Sequence, residues 1–236
     1  MRRNGILLIT LFFCPGVIFA QINPNALRHY TEGMNYYNRN DFDSAIVEYS
    51  NAIAIYPEYA DAYLERGNCY DNKDDQIGAL ENYLKAGEYE KKYIIFAYAY
   101  ECASDNVANY DEAIIAFTQC INQGINLLVS YCMRGNSYIA KYDFANAYAD
   151  YTEAIRISPN IYQPYVSRGF LNIVMDNNKQ AISDLEMSIQ LSQQFAIVFF
   201  YLSILYESEG NSVKAKEMMN IYINMENLLP RRGNFY

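Results

Sequence analysis

Residues 128–161 read LVSYCMRGNSYIAKYDFANAYADYTEAIRISPNI, and this stretch decides the fold. In its second half Asp143 precedes Ala147, Tyr148, Tyr151, Ala154 and Ile155. Those apolar positions recur at steps of three and four, which marks one face of a helix. Pro159 ends the run, because proline cannot continue a helix interior. The first half carries Tyr131, Arg134, Gly135 and Tyr138 at the same kind of spacing and predicts a second helix. Each helix is predicted at about 14 residues, or ~21 Å. Two such helices cannot enclose a core, so copies of the unit must stack.

The copies are present. Alanine stands at 45, 79, 113, 147, 181 and 215, each 34 residues after the last. Gly33, Gly67, Gly135 and Gly169 keep the register, with Glu101 and Ser203 as the exceptions. Tyr49, Tyr83, Phe117 and Tyr151 form an aromatic column, and Tyr63, Tyr131, Tyr165 and Phe199 form another. Six units follow without insertion, at 26–59, 60–93, 94–127, 128–161, 162–195 and 196–229. Residues 21–25 lead into them and 230–236 trail them. In the first unit Asn40-Asp41 supplies the turn, Asp43 and Ser44 are read as capping residues, and Pro57 stops the second helix.

Tyr63, Arg66, Gly67, Tyr70, Ala79 and Tyr83 follow the order of the tetratricopeptide repeat. So do Tyr131, Arg134, Gly135, Tyr138, Ala147, Tyr151 and Pro159, more closely. The chain therefore resembles that family over all six units; the third fits worst, in its first helix. The resemblance implies an all-α protein, a right-handed α-solenoid of six 34-residue helix-turn-helix repeats. It also implies a concave surface, lined by the first helix of each unit, that takes an extended peptide or a helix.

The column residues are read as structural. The glycines are expected to let the paired helix approach at Ala45, Ala79, Ala113, Ala147, Ala181 and Ala215, and the aromatic columns to fill the gaps between units. Asp150 lies 16 residues after Arg134, and Asp184 lies 16 after Arg168, with Asn82 in that place for Arg66. Within-unit pairs Arg134–Asp150 and Arg168–Asp184 are expected, rather than an anion site.

Residues of the first helices outside these columns are the partner-binding candidates: Tyr30, Met34, Tyr37, Asn68, Asp71, Tyr98, Met133, Asn136, Phe170 and Tyr201. Asn68 and Asn136 occupy equivalent places. They are either ordinary polar positions or amides able to hold a peptide backbone. Other family members clamp a C-terminal carboxylate with Lys and Arg. The corresponding positions here, Tyr30, Met34, Glu65, Ile95 and Ala99, include no cation. An apolar or basic protein or peptide partner is expected instead. A second reading is a small-molecule or lipid-binding accessory protein, favoured if Tyr98, Phe170 and Tyr201 enclose a cavity. Met218, Met219, Ile221, Tyr222, Ile223 and Met225 near the end leave self-association through the last repeat open.

Other classes fit poorly. A net charge of −9 argues against nucleic acid as partner. No hydrolase, zincin or phosphate-loop motif is present, and His29, the one histidine, reads as a packing residue. No cofactor, metal or catalytic residue is expected. Cys102 and Cys132, on first helices of adjacent units, are the one cysteine pair whose bonding the spacing leaves open. Residues 1–20 begin with Arg2 and Arg3, continue through an apolar run from Ile6 to Phe13, and end on Ala20. That order predicts export and cleavage near Ala20, to the periplasm or cell envelope. Retention as an anchor through residues 5–20, or lipidation at Cys14, are the lesser readings. The mature chain is expected to hold no membrane span.

Overall fold

The computed structural model describes residues 22–104 and 107–228. The export segment and the tail expected at 230–236 lie outside the described residues. Among the described residues there are twelve α-helices and no strand. In chain order they are α1 (Pro24–Tyr37), α2 (Phe42–Ile55), α3 (Ala60–Asp71), α4 (Gln76–Tyr89), α5 (Ile94–Ala103) and α6 (Tyr110–Gln123). There follow α7 (Leu127–Ala140), α8 (Phe144–Ile157), α9 (Gln163–Val174), α10 (Asn178–Leu191), α11 (Ala196–Ser208) and α12 (Ser212–Leu228). Odd and even helices pair within units, and each pair packs on the next, so the molecule is an α-helical repeat solenoid.

A repeated turn sets each pair. Asn40, Asp74, Ala108, Tyr142, Asp176 and Gly210, again 34 residues apart, hold left-handed backbone with φ from 51° to 77°. A left-handed residue costs about 1–2 kcal/mol when it is not glycine, and the turn repeats all the same. The next residue then caps the second helix. Asp41, Asp75, Asn109, Asp143 and Asn211 each accept a hydrogen bond from the backbone N–H three residues on, at 2.9–3.4 Å. The cap of α2 is therefore Asp41 and not Asp43 or Ser44. The chain reverses at Asn40, so the helix opens earlier, at Phe42.

The alanine column is buried throughout, Ala215 being the most exposed at 6%. The glycines lie closest not to it but to the residue four places further on. A Cβ at Gly33, Gly67 or Gly135 would stand 2.6–2.8 Å from the ring of Tyr49, Tyr83 or Tyr151, and one at Gly169 would stand 2.7 Å from the Leu185 side chain. The space a side chain would need is taken by the residue 16 positions later. The third unit departs here. A single 3-10 turn at Lys91–Tyr93 precedes α5, which has only 10 residues. Phe96 meets both Tyr83 and Phe117 edge-on, 4.7 and 6.0 Å between ring centres.

The array also closes on itself. Phe42, at the start of α2, packs between Tyr37 and Tyr162, and Tyr162 meets Phe195 at 5.1 Å. The buried Asn40 donates its side-chain amide to the carbonyls of Asn160 and Leu191, 3.1 and 3.4 Å away. The first unit thus touches the fifth, and the concave face becomes the interior of a tight coil. Asn40→Gly keeps the left-handed turn and removes those two bonds. A larger radius of gyration by small-angle X-ray scattering is expected, with helical circular dichroism unchanged. An unaltered radius would show that the amide does not hold the coil shut.

Candidate functional site

The interior of the coil holds two adjoining cavities, and Tyr37 and Leu128 line both. The first, of about 310 Å³, lies between Met34 of α1, Glu65 and Asn68 of α3, Asn126 before α7, and Ser158 after α8. The second, of about 230 Å³, lies between Asp71 of α3, Cys132, Met133 and Asn136 of α7, and Gln163 and Ser167 of α9. Neither is lined by a Lys, Arg or His.

The polar groups of the first cavity are unevenly satisfied. The Asn68 amide donates to Glu65 at 3.1 Å and to Asn126 at 3.2 Å. Its oxygen accepts from Asn126 at 2.7 Å and from Tyr83 at 3.0 Å. Asn68 is thus engaged within the molecule. Its counterpart Asn136 is exposed and accepts from Tyr151 at 2.7 Å. The same offset of 15 gives Tyr49 the partner Met34, which offers no comparable acceptor, and the buried Tyr49 hydroxyl has none among the described residues. Both polar atoms of Gln163, in the second cavity, are likewise unpartnered.

Three carboxyls line this interior, Glu65, Asp71 and Asp74, and none has an ion-pair partner among the described residues. Burial pushes Glu65 up to about 7, opposed by the Asn68 amide. Burial pushes Asp71 up to about 6, opposed by the Tyr100 hydroxyl, which donates to it at 2.5 Å.

The other expected binding residues are scattered. Tyr30 stacks among Tyr49 and Tyr59. Tyr98 stands exposed in a shallow depression with Leu84 and Ile94 of α4 and α5. Phe170 and Tyr201 meet edge-on at 5.0 Å beside α10 and α11. On α12, Val213 and Ile223 are exposed, while Met218 packs inward.

The arginine column is built more fully than its spacing indicated. Arg134 holds Asp150 through two bonds, 2.9 and 2.6 Å, and Arg168 holds Asp184 through two, 2.9 and 2.7 Å. Arg66 donates to Asn82 at 2.8 Å. The remaining guanidinium nitrogen reaches backward 16 residues, to Ser50 at 3.0 Å, Thr118 at 2.9 Å and Thr152 at 3.1 Å. Each arginine therefore ties its own unit to the preceding one, with a tyrosine ring alongside. The hydroxyls at 50, 118 and 152 share the 34-residue period, a signal that had been available.

His29 is also more than packing. Its Nδ1 stands 2.6 Å from Glu48 Oε2, and its Nε2 3.1 Å from Arg28 Nη2. Arg28 can only donate, so Nε2 accepts and Nδ1–H donates to Glu48. Glu32 completes a trio of possible metal donors, but Arg28 already donates to it at 3.1 Å. The four cysteines described, Cys69, Cys102, Cys120 and Cys132, are unbonded.

A TPR repeat family model matches residues 33–74, and a tetratricopeptide repeat model matches residues 128–161. The human tetratricopeptide repeat protein 6 is 24% identical over 183 residues, covering 73% of this chain and 34% of its own length. The chain spans about a third or less of the curated relatives it matches. Among solved structures, YrrB, titled a TPR protein with an unusual peptide-binding site, is 18% identical with a TM-score of 0.51, over 77% of this chain and 93% of that one. PilW, titled a type IV pilus biogenesis factor, is 14% identical with a TM-score of 0.53, over 88% and 100%. No helix among the described residues is long and apolar enough to cross a membrane.

Arg134→Lys keeps the charge but loses the fork to Asp150 and the reach to Thr118. A loss of about 1–3 kcal/mol is expected in urea unfolding. An unchanged midpoint would show that the bridge contributes nothing. Glu65 and Asp71 bind protons more readily folded than unfolded, so the stabilisation they carry is present below pH ~4 and is lost as pH rises through about 6 to 7. The melting temperature of the Glu65→Gln protein is expected to fall less than that of the natural chain between pH 5 and pH 8.

Proposed function

We propose that this chain, a tetratricopeptide-repeat protein, is a non-catalytic interaction scaffold that holds a segment of a partner protein against the inner wall of its coil. The observation that carries the reading is the pair of cavities lined mainly by odd-numbered helices. Met34, Tyr37, Asn68, Asp71, Met133 and Asn136, expected from sequence to bind, lie in their walls. The lining mixes aliphatic side chains, amides and carboxyls with no cation, which suits an apolar or basic segment. The peptide-binding site named for YrrB supports the use of this fold for peptides. We place the protein in the periplasm or cell envelope on the order of residues 1–20, a location in keeping with the pilus role named for PilW.

Photo-crosslinking in the native envelope fraction tests the proposal. A benzophenone residue at Met34 or Asn136, both exposed on the inner wall, is expected to capture a partner. The same probe at Val47, exposed on α2, is expected to capture none. Capture from Val47 alone would overturn the inner wall as the binding surface. An amino-terminal fusion of residues 1–30 to alkaline phosphatase should be active outside the cytoplasm if the export reading holds.

A further inference from the structure

The first cavity contains an acid with no counter-ion. Glu65 receives a single hydrogen bond, from Asn68, and Asn68 is fully committed to Glu65, Asn126 and Tyr83. The titratable groups that bear on Glu65 are Tyr30 and Tyr37 from α1, Tyr49 from α2, Asp61 and Cys69 from α3, and Tyr83 from α4. None is basic. The segments before α7 and after α8 bring Asn126 and Ser158, which are neutral. A half-buried carboxylate left uncompensated is costly, and an entering cation would remove that cost.

A second observation points to a ligand in the same place. Tyr49 is fully buried, lines the cavity, and its hydroxyl finds no partner among the described residues. Buried tyrosine hydroxyls are ordinarily hydrogen-bonded. Beyond Tyr37 the field deepens, because Asp71 lines the adjoining cavity and no cation faces it. Met34, Leu127, Leu128 and Ile157 supply aliphatic wall beside the acid. An anionic end with an apolar flank matches a long side chain that carries its charge at the tip.

We propose that the Glu65 cavity is a recognition subsite for a cationic side chain, the arginine or lysine of the partner segment, with Glu65 as its counter-ion and the Tyr49 hydroxyl as an added polar contact. This rests on the inner wall being the binding surface and names the chemistry recognised there. Binding of the cation favours the ionised carboxyl, so a proton leaves Glu65 as the ligand enters. Affinity for a basic segment should then rise with pH through about 7.

The probe is N-acetyl-arginine amide at millimolar concentration, with N-acetyl-citrulline amide as its neutral counterpart. The readout is the carbon-13 resonance of the Glu65 side-chain carboxyl as a function of pH. The arginine compound is expected to lower the Glu65 titration midpoint by about one pH unit, corresponding to a tenfold preference for the ionised form. Citrulline should leave it in place, and Glu65→Gln, checked for folding by circular dichroism, should abolish calorimetric binding of arginine. Equal responses to the two compounds, or no response, would overturn the subsite. The outcome separates from the broader reading. Partner capture at Met34 without an arginine response would retain the binding surface and reject the subsite. An arginine response with capture from Val47 alone would leave a cation site at Glu65 but overturn its role in holding the partner.

Discussion

The packing distance between the two helices of each unit governs the rest of the molecule. It is set where a glycine on the first helix lies under the side chain 16 residues later. At Gly33, Gly67 and Gly135 a Cβ would reach to within 2.8 Å of a tyrosine ring, so no larger residue fits without displacing it. That approach buries the alanine column and the ring together. It also aims the ring's hydroxyl back at the first helix, 15 residues earlier, where Asn68 and Asn136 accept from Tyr83 and Tyr151. Tyr49 breaks the pattern because Met34 stands in that place, and its hydroxyl, unpaired among the described residues, is left at the wall of the first cavity.

Units built this way must then be joined, and the arginines do much of the joining. A guanidinium has donors enough to hold a carboxylate with two and a hydroxyl with a third. Arg134 and Arg168 use all three directions, tying Asp150 and Asp184 in their own units to Thr118 and Thr152 in the units before. Arg66 does the same with Asn82 and Ser50, both neutral. Because these contacts repeat, they fix the turn from one unit to the next and let it accumulate. The short α5 and the 3-10 turn before it interrupt that series in the third unit. The accumulated turn brings Asn40 and Phe42 against residues more than a hundred positions away.

Much of the cavity lining was legible in the residues, for a definite reason. Met34, Tyr37, Asn68, Asp71, Met133 and Asn136 stand on first helices outside the packing columns, and a position released from packing is free to face the interior. Tyr98, Phe170 and Tyr201 satisfied the same rule yet lie elsewhere, since a helix face has more than one side outside the columns. Glu65 was read only as a position lacking a cation. Its isolation depends on Tyr49, Asn126 and Ser158, which three other segments bring to it. The cap at Asp41 was missed in favour of Asp43 and Ser44, although Asp or Asn recurs at 41, 75, 109, 143, 177 and 211.

The sequence by itself determined the unit: its 34-residue length, its two helices, its small and aromatic columns, and the arginine–aspartate offset of 16. All of these are contacts within a unit or between neighbours, so each repeats and leaves a periodic trace. Only the tertiary structure decided that the array closes, that Asn68 is paired with Asn126, and that the concave face becomes two adjoining cavities with acids in their walls. The closing contacts join the first unit to the fourth and fifth, the Asn68–Asn126 pair joins the second to the third, and each occurs once. Closure depends on small rotations between units adding up, and a sum over the whole chain leaves no mark on any single repeat.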